Sequence, residues 1–167
     1  MEFLESASRF FDLFFGLPLH PLVVHGVVVL VPIFALYTAY RAIKNRPIQR
    51  NALVLGVLLL LISISSRLSG EALASRIGYE SIEETGHLNA GNLYPLLVLG
   101  FLILVFIYNR SVQRRSNSKW WFAPLAKGLL VIVSVGILLF TLWTGHTGAK
   151  SHWQGIKDYT EYGDQKP

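Results

Sequence analysis

Four long apolar runs divide the chain, each bounded by polar or charged residues. The first extends from about Leu19 to Tyr40 and the second starts near Asn51, passing through Leu58-Leu59-Leu60-Leu61. The third begins at Gly86-His87 and ends near Tyr108, and the fourth covers about Ala123 to Trp143. Each has the ~20 residues that a helix needs to cross a hydrocarbon core about 30 Å thick. Ahead of them, Phe3, Ala7, Phe10, Phe11 and Phe14 recur at helical spacing against Glu5, Ser8, Arg9 and Asp12. That pattern predicts an amphipathic helix over residues 1–16, lying in the membrane interface. Glu2 and Glu5 stand where a secretory signal would carry basic residues, so this stretch is not read as one. The expected fold is all-α. It is an integral membrane, up-down-up-down four-helix bundle over residues 17–155, with an N-terminal interfacial amphipathic helix and a polar tail at 156–167.

Within the first run, Pro32 removes the hydrogen bond that the Val28 carbonyl would accept, which predicts a kink. The second run turns small and polar at Ser63, Ser65, Ser66, Ser69 and Gly70, and its helix is expected to project to about Ile77. Arg67 and Glu71 are four apart there, the spacing of an intrahelical ion pair.

Charge adds direction. The loops 41–51 and 109–127 carry nine Lys/Arg and no acid, whereas the other segments hold six Lys/Arg and all ten acids. By the positive-inside rule the basic loops face the cytoplasm and both termini face outward, as in a bacterial inner-membrane protein. The net charge of +5 is thereby explained by topology, and no nucleic-acid partner is expected. Composition agrees: the chain is 52% hydrophobic and 15% charged. The lipid bilayer is the expected surrounding. With no cysteine there is no disulfide, thiolate metal site or covalently attached haem.

The same topology gathers all five histidines at the outer end. His20 and His25 begin the first span, His87 begins the third, and His146 and His152 follow the fourth. An ionisable side chain inside a span is costly and marks a candidate functional site. Neutral imidazole is a metal ligand, and facing helices of a bundle are where cofactor sites are built. Ala90 and Gly91 below His87, and Gly145, Gly148 and Ala149 around His146, either let helices approach closely or clear room for a flat macrocycle. The candidate haem ligands are His25, His87, His146 and His20, with Arg67 placed to face a propionate. The candidate ligands of a bare metal are the same four histidines and His152. The bland alternative is a set of interfacial histidines bonded to headgroups or to each other. His20 would then simply cap its helix and His152 would be a surface residue. The single methionine is Met1, so a Met-ligated iron is not expected. A carboxylate-bridged di-metal site would need a second copy of the Glu84-x-x-His87 spacing, and none is present. Hydrolase, nucleotide-binding and dinucleotide motifs are likewise missing from the sequence.

Four segments carry a resemblance to a known family. They are Leu19-His20-Pro21-Leu22-Val23-Val24-His25, Ser69-Gly70-Glu71-Ala72-Leu73-Ala74, the lone His87, and Gly145-His146-Thr147-Gly148-Ala149. The chain resembles, over roughly residues 17–155, the small four-span bacterial membrane proteins grouped as domain of unknown function 2231. It departs from their pattern at Gly26-Val27, where an aromatic and a proline often follow the second histidine, and at Leu88, where an acid is common. The resemblance implies the four-span fold and singles out His20, His25, His87 and His146. It implies no activity.

The leading expectation is a membrane-bound b-type cytochrome-like protein that holds haem b at its outer end and exchanges electrons with a periplasmic or quinol partner. Copper or zinc binding is the second expectation, and a structural subunit of a larger membrane complex is the third.

Overall fold

The computed structural model describes residues 13–14, 17–76, 86–113 and 122–153. A short antiparallel pair, β1 (Leu13–Phe14) with β2 (Leu17–Pro18), leads into four long helices. These are α1 (Leu19–Ile43), α2 (Arg50–Arg76), α3 (Gly86–Gln113) and α4 (Phe122–Trp153). Leu13 and Phe14, expected at the end of an amphipathic helix, instead pair with Pro18 and Leu17. The remainder of that expected helix, and the tail at 156–167, lie outside the described residues.

Each helix packs on the next and α4 returns to α1, which closes an up-down-up-down square with α1 diagonal to α3. All four are long and apolar enough to span a membrane. Large side chains such as Leu22, Ile33, Leu36, Leu96, Ile132 and Leu142 are exposed on the outside of the bundle. Burying such a side chain is worth roughly 1.5–3 kcal/mol, so this girdle belongs in lipid and not in water.

The centre is filled by Phe34, Leu59, Phe101, Val105 and Leu130. Phe34 meets Phe101 edge-on across the diagonal, with ring centroids 5.9 Å apart. Gly56 on α2 makes that crossing possible. A Cβ there would lie 2.8 Å from both Phe34 Cζ and Leu102 Cδ1. Buried serine and threonine hydroxyls donate within their own helices, Ser63 to Leu59 O, Ser134 to Leu130 O and Thr38 to Ala35 O, whereas the buried Tyr37 hydroxyl has no hydrogen-bond partner among the described residues. α1 is continuous through Pro32, as α3 is through Pro95.

Two boundaries extend beyond the apolar runs. α3 continues past Tyr108 to Gln113, and α4 past Trp143 to Trp153. Backbone hydrogen bonding does not stop where hydropathy falls, and Thr144 and Thr147 donate to Phe140 O and Thr144 O instead of capping against the helix. At 32 residues α4 is about 48 Å long and overshoots a core about 30 Å thick.

The basic end is tightly tied. Asn45, at φ 52°, ends α1 in a left-handed turn, with Asn45 N–H to Ala42 O at 2.9 Å and Arg46 N–H to Arg41 O at 2.9 Å. Tyr108 of α3 donates to the carbonyls of Arg41 and Arg46. The Ile48 N–H donates to Asn109 Oδ1 at 2.8 Å, and Lys127 of α4 reaches Asn45 Oδ1 at 3.1 Å. The α1–α2 loop is therefore held by both α3 and α4.

Candidate functional site

At the opposite end, α1 starts beside the end of α2. Pro21 occupies the first turn of α1, where its missing N–H costs nothing. His20, one residue before it, is half-buried and turns towards α2. Its Nδ1 lies 3.0 Å from Ser66 O and 3.3 Å from Ser69 Oγ. A carbonyl has no proton, so Nδ1 carries the hydrogen and donates. Ser69 Oγ gives its own proton to Ser66 O at 3.0 Å and is left to accept from His20. Gly70 is the seat of the ring: a Cβ there would stand 3.0 Å from His20 Cε1 and 3.2 Å from Nδ1. His20 is thus a strut between α1 and α2.

His25 sits differently. It is exposed and shares the outward stripe of α1 with Leu22, Val29, Ile33 and Leu36. Its Nδ1 bonds the Pro21 carbonyl one turn earlier, so Nδ1 again carries the proton and Nε2 keeps its lone pair. A ligating histidine is commonly fixed in this way, with the second nitrogen donating to a backbone carbonyl. His146 is also exposed and lies on the outward stripe of α4 with Ile132, Val135, Leu139 and Leu142. α1 and α4 are neighbours, so these two histidines occupy outward faces of adjacent helices.

The chain positions of His87 and His152 belong to the same end, on the first turn of α3 and the last turn of α4. Their side chains lie outside the described residues. Arg67 Nε is 3.1 Å from Glu71 Oε1, the pair expected from their spacing. Both side chains are about half exposed, so the pair adds at most a few tenths of a kcal/mol. Among the described residues, no three His, Asp or Glu side chains converge.

Between α3 and α4 the interior is closed by Tyr94, whose hydroxyl lies 2.7 Å from Thr141 Oγ1. Thr141 donates to Ile137 O, so Tyr94 is the donor between the two side chains. Phe140 stacks obliquely beside Tyr94, and Trp143 beside Phe140. Gly91 stands three residues before Tyr94 and Gly145 four after Thr141, one turn nearer the histidine-bearing end. A Cβ at either glycine would meet no atom within 4 Å. Close helix packing therefore does not require a glycine at either place.

A family model described as predicted membrane protein, DUF2231, matches residues 16–156. The chain belongs to this family. The DUF2231 match takes in all four helices and all five histidines, from His20 to His152. No curated protein and no solved structure matches the chain.

Sequence reasoning missed three participants here. The Ser66 carbonyl and the seat at Gly70 give His20 its role, and the Tyr94–Thr141 bond forms the floor below the histidine-bearing end. The available signal for the last was two isolated hydroxyl residues within apolar runs, each of which had to find a partner.

Proposed function

We propose that this DUF2231 protein is a membrane-bound, b-type cytochrome-like electron-transfer protein of the bacterial inner membrane. Haem is held by histidines at the outer end of the bundle, and the basic loops face the cytoplasm. The observation that carries the reading is His25: its Nδ1–H is committed to the Pro21 carbonyl, so Nε2 offers a lone pair on the outside of α1. The open positions beside Gly91 and Gly145 also support it, because helix packing does not account for them. His87 lies one turn before Gly91, and His146 directly follows Gly145. The ligands we assign are His25, His87 and His146. His20 drops from the set, because the Ser66 and Ser69 contacts give it a packing role.

The donor set suits haem iron better than zinc or copper. A haem needs only one or two imidazoles, whereas a structural zinc needs four ligands in one place. Haem iron bound here would supply one-electron chemistry, with a periplasmic or quinol partner as the other half of the exchange. The chain itself would fix imidazole orientation through the Pro21 carbonyl and keep the Tyr94–Thr141 floor closed below the site.

The test is the absorption spectrum of protein purified from cells supplied with haem precursors. A Soret band is expected, and His25→Ala, His87→Ala or His146→Ala is expected to weaken or shift it while His20→Ala leaves it in place. No band, or a band that survives all three substitutions, overturns the reading. Stoichiometric copper or zinc without iron would favour metal handling instead. A second reading, a structural subunit of a larger complex, is favoured by the outward faces of His25 and His146, which a neighbouring subunit would cover. Co-purification with a complex in the absence of any cofactor would support it.

A further inference from the structure

We propose that the basic end of the bundle is a binding surface for anionic phospholipid headgroups. This inference is independent of what the histidines bind. It rests on how the cations at that end are used. Arg41 donates through Nε to Pro47 O at 3.0 Å, and Lys127 to Ile43 O at 3.4 Å and Asn45 Oδ1 at 3.1 Å. Arg41 thus serves a loop carbonyl, and Lys127 serves the carbonyl-rich end of α1, where the helix dipole is negative. They are the cations the fold consumes.

Lys44, Arg46, Arg50 and Arg110 are not consumed in this way. All four are exposed, and among the described residues none of their side-chain cations has a hydrogen-bond or ion-pair partner. Nor is a counter-ion at hand. The sole acid among the described residues is Glu71, at the opposite end of the bundle and paired with Arg67. The sequence adds Arg114, Arg115 and Lys119 after α3 and no acid between 109 and 127.

The loop that presents these cations is also pre-formed. Its carbonyls at Arg41 and Arg46 accept from Tyr108, its Ile48 N–H is taken by Asn109, and Asn45 fixes the turn. A rigid, uncompensated positive rim immediately beyond four apolar spans meets the headgroup layer of the adjoining leaflet. A phosphate on a lipid satisfies both the charge and the depth, whereas a free phosphate satisfies only the charge. Basic clusters that adjoin spanning helices attract anionic lipid, at about a fivefold gain in affinity per Lys or Arg.

The experiment uses the full chain in mild detergent, with native mass spectrometry to read binding of phosphatidylglycerol and phosphatidylcholine of identical acyl chains. The expected result is a preference for phosphatidylglycerol of tenfold or more. Arg46→Gln or Arg110→Gln alone is expected to cut that preference roughly fivefold. The combined Lys44→Gln, Arg46→Gln, Arg50→Gln and Arg110→Gln variant is expected to abolish it. Arg67→Gln, at the other end, is expected to leave it unchanged. Raising salt towards 1 M shortens the Debye length to about 3 Å and is expected to weaken the preference. If the combined variant fails to elute as a folded species, the two single variants carry the test. Equal binding of the two lipids, or a preference that survives the glutamines, overturns the proposal. Displacement of phosphatidylglycerol by millimolar inorganic phosphate also overturns it, because the site would then take a small anion and not a lipid.

Discussion

Replacing Gly70 by Ala isolates the strut at the histidine-bearing end. The new methyl carbon would stand 3.0 Å from His20 Cε1 and 3.2 Å from Nδ1, tighter than ordinary contact by a few tenths of an ångström. The ring cannot retreat without lengthening its bonds to Ser66 O and Ser69 Oγ, now 3.0 and 3.3 Å. Overpacking of this kind costs typically 1–3 kcal/mol, and the lost hydrogen bond about 1 kcal/mol. Against that, alanine gains about 0.8–1.0 kcal/mol over glycine inside a helix. The net expectation is a loss of about 1–3 kcal/mol, a visible drop in thermal midpoint in detergent followed by circular dichroism.

The sign should reverse once the ring is gone. In a His20→Ala background the tight contacts are gone, since the three atoms nearest the new Cβ all belong to His20. Gly70→Ala should then be neutral or stabilising by up to about 1 kcal/mol. The double-mutant cycle isolates the coupling, expected at about 1–4 kcal/mol. An equal penalty in both backgrounds, or a gain in the wild type, would refute the assignment of His20 as a strut seated on Gly70.

Three further outcomes follow from the same structure. Gly56→Ala, with contacts of 2.8 Å to Phe34 and Leu102, should destabilise by about 1–3 kcal/mol, whereas Gly91→Ala meets nothing and should not; matched thermal melts of the two variants check this. Asn109→Ala strips the buried Ile48 N–H of its acceptor and should cost about 1–3 kcal/mol, with faster hydrogen exchange at Ile48 as its local signature. Tyr94→Phe should cost only about 0.5–1.5 kcal/mol, because Thr141 keeps its bond to Ile137; a loss above 3 kcal/mol in chemical denaturation would contradict that assignment.

The architecture was legible because it depends on coarse quantities. Run length and loop charge were enough to give four antiparallel spans, and short loops were enough to place α1 beside α4. The end points were less legible: hydropathy marks where lipid stops, while α4 keeps its hydrogen bonds for ten residues beyond Trp143. At Leu13 and Phe14, helical spacing of phenylalanines pointed to a helix, but the backbone pairs with Leu17 and Pro18 instead. The site was legible as a list of histidines at one end but not as roles. Which ring nitrogen carries a proton depends on carbonyls at Ser66 and Pro21, and a carbonyl is common to every residue type. Gly70 was visible only as one more small residue, since its use comes from a ring on another helix.

The division of roles between His20 and His25 follows from helix geometry. Five residues at about 100° each bring the two side chains roughly 140° apart around α1. If His20 faces α2, His25 must face away from it, and the stripe of Leu22, Val29 and Ile33 around His25 confirms that it does. His20 and His25 of one chain therefore could not together hold one bound group. The pair combines a conformational anchor with an outward-facing imidazole, and the anchor serves the second. His20 clamps the start of α1 onto α2, which holds the first turn that carries the Pro21 carbonyl, and that carbonyl fixes the tautomer of His25. Removing the His20 ring should consequently leave any His25-dependent absorption band in place but broaden it, because the first turn would fray while Nε2 kept its lone pair. A sharp, unchanged band would show instead that α1 starts as rigidly without the clamp as with it.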